Sequence, residues 1–205
     1  MQLSSISHSQ QALTMTEALI LLVVIILLAG LVDWGAPLGA RERARKIQCL
    51  NNLRQIGLGL EAYAADHDGR YPAVPSDLVQ NYLFVSNYVG NAGSIFKCPS
   101  DFEKVSSNSA SSVTLANISY SYVPGLNTHK VMRGGVLVRD TTPIAFDRGL
   151  RGLSNEVSLA SLSGRLWQHE SPHKEDGGNI LFTDCHVWFQ DKFPPNAFPN
   201  QVLTP

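Results

Sequence analysis

Leu13-Thr14-Met15-Thr16-Glu17 and the fifteen uncharged residues after them, Ala18 to Val32, decide how this chain of 205 residues is read. A carboxylate stands at the head of an apolar run. Carrying a charge into hydrocarbon is costly, so Glu17 calls for a specific partner there. The run lacks the marks of a secretory signal, which opens on basic residues and closes on small ones. Met1–Ala12 holds no Lys or Arg, and Leu38-Gly39-Ala40 puts a bulky Leu38 where a small residue belongs.

Working outward, a helix is expected to begin near Thr14 and to continue past the apolar run. Asp33–Gly39 interrupts it, since Gly weakens a helix and Pro37 removes a backbone donor. A kink near 33–39 is predicted rather than a break, because Ala40–Tyr63 resumes helical character. There Cys49, Leu53, Ile56, Leu60 and Tyr63 recur at spacings of 4, 3, 4 and 3, forming one apolar stripe. A stripe this short suits docking on a sheet better than a coiled-coil seam. Asp66-His67-Asp68-Gly69 ends the helix with a turn signal.

Ala12-Leu13-Thr14-Met15-Thr16-Glu17 resembles the processing site of type IV prepilins, in which a small residue precedes a Phe-Thr-Leu-x-Glu-like pentapeptide and a long apolar helix. The resemblance implies that residues 1–12 are a leader, that a prepilin peptidase cuts between Ala12 and Leu13, and that the new N-terminus is methylated. It also implies that the Glu17 carboxylate pairs with the Leu13 ammonium of a neighbouring subunit, so that each compensates the other in a setting of low dielectric. Ala18, Leu22, Val24, Ile26, Leu28 and Val32 would then fill the core of a filament. Ala12 stands where the family usually has Gly, and Leu13 where it has Phe. Arg41, Arg43, Arg45 and Lys46 come soon after the run, and a positive-inside count places the C-terminal part in the cytoplasm. The resemblance implies the opposite: one pass through a bacterial inner membrane, with the C-terminal domain in the periplasm.

The segment Arg43–Pro72, the motif Phe96-Lys97-Cys98-Pro99-Ser100-Asp101 and a His–x9–Asp-Gly-like stretch near the C-terminus are similar to pseudopilin-like proteins of planctomycete, verrucomicrobial and related bacteria. That similarity implies a structural subunit, not an enzyme, in a type II secretion-like or type IV pilus-like filament. Its partners would be prepilin peptidase, the inner membrane, and copies of itself or other pseudopilins.

With 44% apolar residues the chain can bury one modest core. A net charge of −1 with 16% charged residues gives no basic surface for nucleic acid. No Gly-x-Ser-x-Gly elbow, phosphate loop or Cys-x-x-Cys pair is present. Ser76–Leu83 reads as a short helix capped by Ser76, and residues 104–116 as an exposed loop. Ile118–Val123, Gly135–Arg139, Thr142–Phe146, Asn179–Thr183 and His186–Gln190 read as strands, the last two as a hairpin (179–190) around Asp184-Cys185. Gly149–Gly164 reads as an excursion, and Pro194–Pro205 as an extended surface tail. The expected fold is α+β: a long N-terminal spine helix, 13–66, on a small, mainly antiparallel sheet within a globular part, 67–205.

His173, Asp184 and His186 form a candidate two-His, one-carboxylate metal set. The plainer reading is a hydrogen bond from His173 to Asp184 that fixes the loop before the hairpin. Ten residues separate the two, and Cys185 sits where the motif has Gly. A Cys at positive φ is strained, so a turn of another type is expected. His169 and His173 lie four apart, but Ser171-Pro172 between them argues against a shared helix. Asp66, Asp68 and Gly69 hint at a calcium loop but lack its distal Glu; Asp184 and other acidic loop residues are the remaining calcium candidates, and no other cofactor is expected. Three cysteines allow one disulfide and one spare thiol. A Cys49–Cys98 bond would staple the spine to the sheet domain and suit the periplasm; two buried thiols are the other reading. A second functional reading is a membrane-tethered periplasmic binding or metal-dependent domain using the His173/Asp184/His186 region.

Overall fold

Thr14 and Glu17 start the first helix. In the computed structural model, which describes residues 14–33, 38–126, 130–133, 136–139, 142–152, 157–195 and 202–205, the Thr14 amide and hydroxyl each donate to Glu17 Oε2 at 2.9 Å. The Glu17 amide returns a bond to Thr14 Oγ1 at 3.4 Å. This reciprocal pair is a capping box, which satisfies amides that the first turn leaves without partners. Helix α1 runs Met15–Asp33. Its ten consecutive apolar side chains from Leu19 to Leu28 are all exposed, on every face. Among the described residues no helix is long and apolar enough to cross a membrane. The side chains described on α1 end at Leu28, short of the Ala18–Val32 run. Ala12, Leu13 and the side chain of Val32 also lie outside the described residues.

On the far side of residues 34–37 the described chain forms a second helix, α2, Leu38–Asp66. Residues 34–37, where the kink is expected, lie outside the described ones. Met1–Arg41 and Glu42–Pro205 are separate compact units. In the second, α2 buries Cys49, Leu53, Ile56 and Leu60 to 1% exposure or less. The fifth member of the buried row is Ala64 rather than Tyr63, which is half-buried. Each large aliphatic side chain so buried stabilises the fold by about 1.5–3 kcal/mol. Two glycines let α2 approach its neighbours closely. A Cβ at Gly57 would stand 2.8 Å from Leu181 Cδ1, and one at Gly59 would stand 2.6 Å from Val89 Cγ1.

Helix α3 runs Leu78–Ser86, and its cap is Asp77, not Ser76: the Asp77 carboxylate accepts the Gln80 amide at 2.8 Å. Tyr82 on α3 is fully buried, with its ring against Phe96 and Tyr122 at 5.1 and 5.7 Å. The strands are β1 Tyr120–Tyr122, β2 Lys130–Arg133, β3 Val136–Arg139, β4 Pro143–Asp147, β5 Gly178–Phe182 and β6 Val187–Gln190. The main sheet has the order β1-β4-β5-β6 with every pair antiparallel, while β2 and β3 pair only with each other. This bears out the α+β class and the small antiparallel sheet.

Alternation along the strands sends Tyr120, Ala145, Asp147, Asn179 and Leu181 toward α2. Ile144, Phe146 and Ile180 face the other way, where Phe193 meets Phe146 edge-on at 4.8 Å. Both faces of β4 and β5 are therefore buried throughout. The described end of the tail, residues 202–205, does not lie free on the surface. Leu203 exchanges both backbone bonds with Tyr122, at 2.9 and 2.7 Å, and Val202 is fully buried. Two apolar residues suffice to draw the end of a proline-rich segment onto the open edge of β1.

The β5–β6 hairpin forms where expected, but its turn does use positive φ: Cys185 sits at +65°. Pairing of Phe182 with His186 on either side forces this geometry, and the Cys185 amide donates to Phe182 O at 2.9 Å. A left-handed non-glycine residue costs about 1–2 kcal/mol, of which glycine's extra unfolded entropy takes back part. Cys185→Gly is expected to raise stability by about 1 kcal/mol, or about 2–4 °C in Tm for a chain of this size. Calorimetry of the full chain checks it, and an unchanged or lower Tm would show that the Cys185 thiol contributes more than its backbone costs.

Candidate functional site: a buried cysteine, aspartate and histidine cluster

Four segments converge under α2. Cys49 comes from the buried stripe of α2, and Cys98 from the loop after the short 3-10 turn Gly93–Phe96. Asp147 ends β4, and His173 precedes the 3-10 turn Lys174–Asp176. Cys49, Cys98 and Asp147 are 0, 0 and 0% exposed, and His173 is 3%. One ligand-type atom from each lies within 4.8 Å of the other three.

The contacts are specific. Cys49 Sγ donates to Asp147 Oδ1 at 3.4 Å, with the Tyr120 hydroxyl 3.3 Å from the same sulfur. Cys98 Sγ and Asp147 Oδ2 each lie 3.6 Å from His173 Nε2. Asn179, the second residue of β5, fixes the carboxylate. Its amide and its Nδ2 donate to Asp147 Oδ2 at 2.6 and 3.0 Å, and Nδ2 also lies 3.1 Å from His173 Nε2. These contacts assign the proton of the imidazole to Nδ1, which points at Glu42 Oε1 from 3.6 Å and makes no hydrogen bond.

The electrostatics come from burial. Desolvation pushes the Asp147 carboxyl above its usual range, against the pull of His173 and the Asn179 donors. Desolvation, with Cys98 and Asp147 beside it, pushes the Cys49 thiol well up. Burial opposes ionisation of Cys98 too, but its contacts with Cys49 and His173 outweigh it and bring that thiol down. His173 is raised, because Cys98 and Asp147 outweigh the cost of burying its charge. Two thiols of opposite tendency thus flank one imidazole.

A buried ion pair braces the cluster. Arg148, next to Asp147, clamps Asp101 with two bonds of 2.6 and 2.8 Å and reaches Glu103 at 2.6 Å. The forked geometry ties the end of β4 to the Cys98 loop. Beside it a cleft of about 480 Å³ opens between Glu42, Asp101, Arg148, His169 and Lys174.

The sequence-derived metal set is corrected here. His173 packs at the Asn179 end of β5, its ring against Phe189. Asp184 and His186 sit at the other end, in the turn, where Asp184 Oδ1 meets His186 Nδ1 directly. Strand β5 lies between them, so neither the metal trio nor a His173–Asp184 bond forms. Among the described residues the single cluster with metal-ligand character is Cys49, Cys98, Asp147 and His173. Asp66 accepts the Tyr88 hydroxyl at 2.9 Å, at a surface turn. Cys49 and Cys98 do meet, as free thiols, with sulfurs within 4.8 Å rather than at the roughly 2.05 Å of a bond. Cys185 is the thiol left apart.

The family described as "Protein of unknown function (DUF1559)" matches residues 39–77. That stretch holds most of α2, including Cys49 and the buried stripe, and the approach to α3. No curated protein and no solved structure matches the chain.

Proposed function

We propose that the chain is a structural, pseudopilin-like subunit. It is cut after Ala12 by a prepilin peptidase and inserted in the inner membrane through α1, with the globular domain in the periplasm. Subunits assemble through that helix into a type II secretion-like or type IV pilus-like filament. The observation that carries this reading is α1 itself, apolar on all sides and exposed from Leu19 to Leu28, with one carboxylate at its head. A helix with no polar face needs lipid or other helices around it. The match of residues 39–77 to a family associated with bacterial pilin-like proteins supports the same reading.

The globular domain serves as the outward-facing head, and its buried cluster as an internal brace rather than a catalytic centre. Cys98, Nε2 of His173 and the Glu42 carboxylate stand in the order of a thiol triad, but the sulfur is fully buried, which favours the brace. The test is co-expression with a prepilin peptidase and a filament assembly platform. The chain is expected in the sheared, sedimenting filament fraction. Recovery only as dispersed membrane protein would count against assembly.

A further inference from the structure

We propose that Cys49, Cys98, Asp147 and His173 bind one zinc ion as a closed structural site, whether or not a filament forms. Zinc takes four ligands at about 2.0–2.3 Å in a tetrahedron, whose edges are then about 3.3–3.8 Å. Two distances within the cluster have that size, 3.4 Å from Cys49 Sγ to Asp147 Oδ1 and 3.6 Å from Cys98 Sγ to His173 Nε2, and one ligand atom of each residue lies within 4.8 Å of the other three. Two thiols, one imidazole and one carboxylate form a donor set suited to a borderline-soft ion of no geometric preference. Burial of all four leaves no open coordination position, which marks a structural rather than a catalytic site.

The surrounding groups match what a bound ion needs. His173 already carries its proton on Nδ1, toward Glu42, and turns the Nε2 lone pair inward. Asn179 holds Asp147 Oδ2 with two donors, leaving Oδ1 facing Cys49. The Tyr120 hydroxyl is placed to donate to a Cys49 thiolate. On binding, the two S–H protons pass to solvent and the S–H···O contact of Cys49 with Asp147 gives way to two bonds to one ion. Asn179 Nδ2 gives up its contact with Nε2 and keeps the one to Asp147. Two thiolates and a carboxylate around Zn²⁺ leave one net negative charge, which the Asn179 and Tyr120 donors stabilise. The site would fasten α2, the Cys98 loop, β4 and the His173 turn at one point.

The test uses the full chain extracted in detergent without chelator. Elemental analysis is expected to find one zinc per chain. Cobalt loaded in its place is expected to show the strong visible bands of a tetrahedral site and a thiolate-to-metal charge-transfer band. Cys185→Ser should leave that spectrum unchanged, and this arm does not depend on altering the core. Cys98→Ser should lower metal content at least tenfold. Glu42→Gln, which alters the group facing the outer nitrogen of His173 and keeps an oxygen for the Ser100 hydroxyl, should weaken zinc binding about 10–100-fold in competition with a chromophoric chelator. Three results would overturn the proposal: metal-free protein after exposure to zinc, cobalt bands without thiolate character, or Cys49 and Cys98 found joined as a disulfide.

Discussion

Arg148→Met is expected to lower the unfolding free energy by about 3–5 kcal/mol at neutral pH. The Asp101 side chain is 1% exposed and that of Arg148 14%, so removing the guanidinium leaves a buried carboxylate without its paired charge. Burial alone would raise the Asp101 carboxyl, but the bonds and charge of Arg148 outweigh it and hold the carboxyl below its usual range. A carboxyl depressed in the folded state contributes stability above its unfolded pKa, about 3.9, and loses it as pH falls through the lower folded value. In the variant, burial acts without that counterweight and the carboxyl takes up a proton more readily. The gap between the two proteins should therefore narrow as the pH falls, beginning above about 4, where the variant's carboxyl takes up its proton, and continuing below it, where the wild type's does. Urea unfolding of the full chain at neutral and acid pH measures both effects. The double variant Arg148→Met/Asp101→Leu should recover most of the loss, since an apolar pair of similar volume replaces an ion pair at little cost. A gap that stays constant with pH would contradict the assignment.

Glu17→Gln is expected to abolish assembly while leaving membrane insertion intact. Glu17 has two roles that this substitution separates. In the single chain its carboxylate closes the capping box with Thr14, and Gln at that position can also close one. Only the charge is lost. Under the filament reading that charge pairs with the Leu13 ammonium of a neighbour, so the variant should be processed, inserted and absent from sheared filaments. Glu17→Ala removes both cap and charge and should behave no better. Filaments at wild-type abundance from Glu17→Gln would leave the carboxylate with a local capping role and remove the case for pairing between subunits.

Local patterns make much of the fold legible. The 4-3-4-3 stripe marks the buried face of α2 as far as Leu60, because a two-turn repeat of large apolar residues reports one face directly. The β5–β6 hairpin is legible from alternation around Asp184-Cys185. Its turn differs from expectation because strand pairing on both sides outweighs the cost of a left-handed Cys. The N-cap of α3 shifts by one residue, Ser76 to Asp77, since neighbouring residues of equal capping ability differ only in the entry angle of the chain.

The cluster is half legible. Cys49 and Cys98 stand out as residue types, and their meeting accords with the stripe and the loop. His173 stands out too, but with the wrong partners, because the His-to-Asp spacing suggests proximity and β5 spends that spacing on length. Asp147 escapes sequence reasoning altogether. A single acid one residue past an apolar strand reads as a solvated strand end. Only the order β1-β4-β5 shows that it points under α2, between Tyr120 and Asn179. The apolar run Thr142–Phe146 ending directly on Asp147-Arg148 is the available signal, a charge pair abutting a strand buried on both faces.

The most direct test of the filament account is the intact mass and N-terminal sequence of the chain recovered from membranes, with and without prepilin peptidase. A chain that begins at Leu13 and carries one added methyl only when the peptidase is present is the expected result. A chain that begins near Arg41, cut beyond α1 whether or not the peptidase is present, would contradict it.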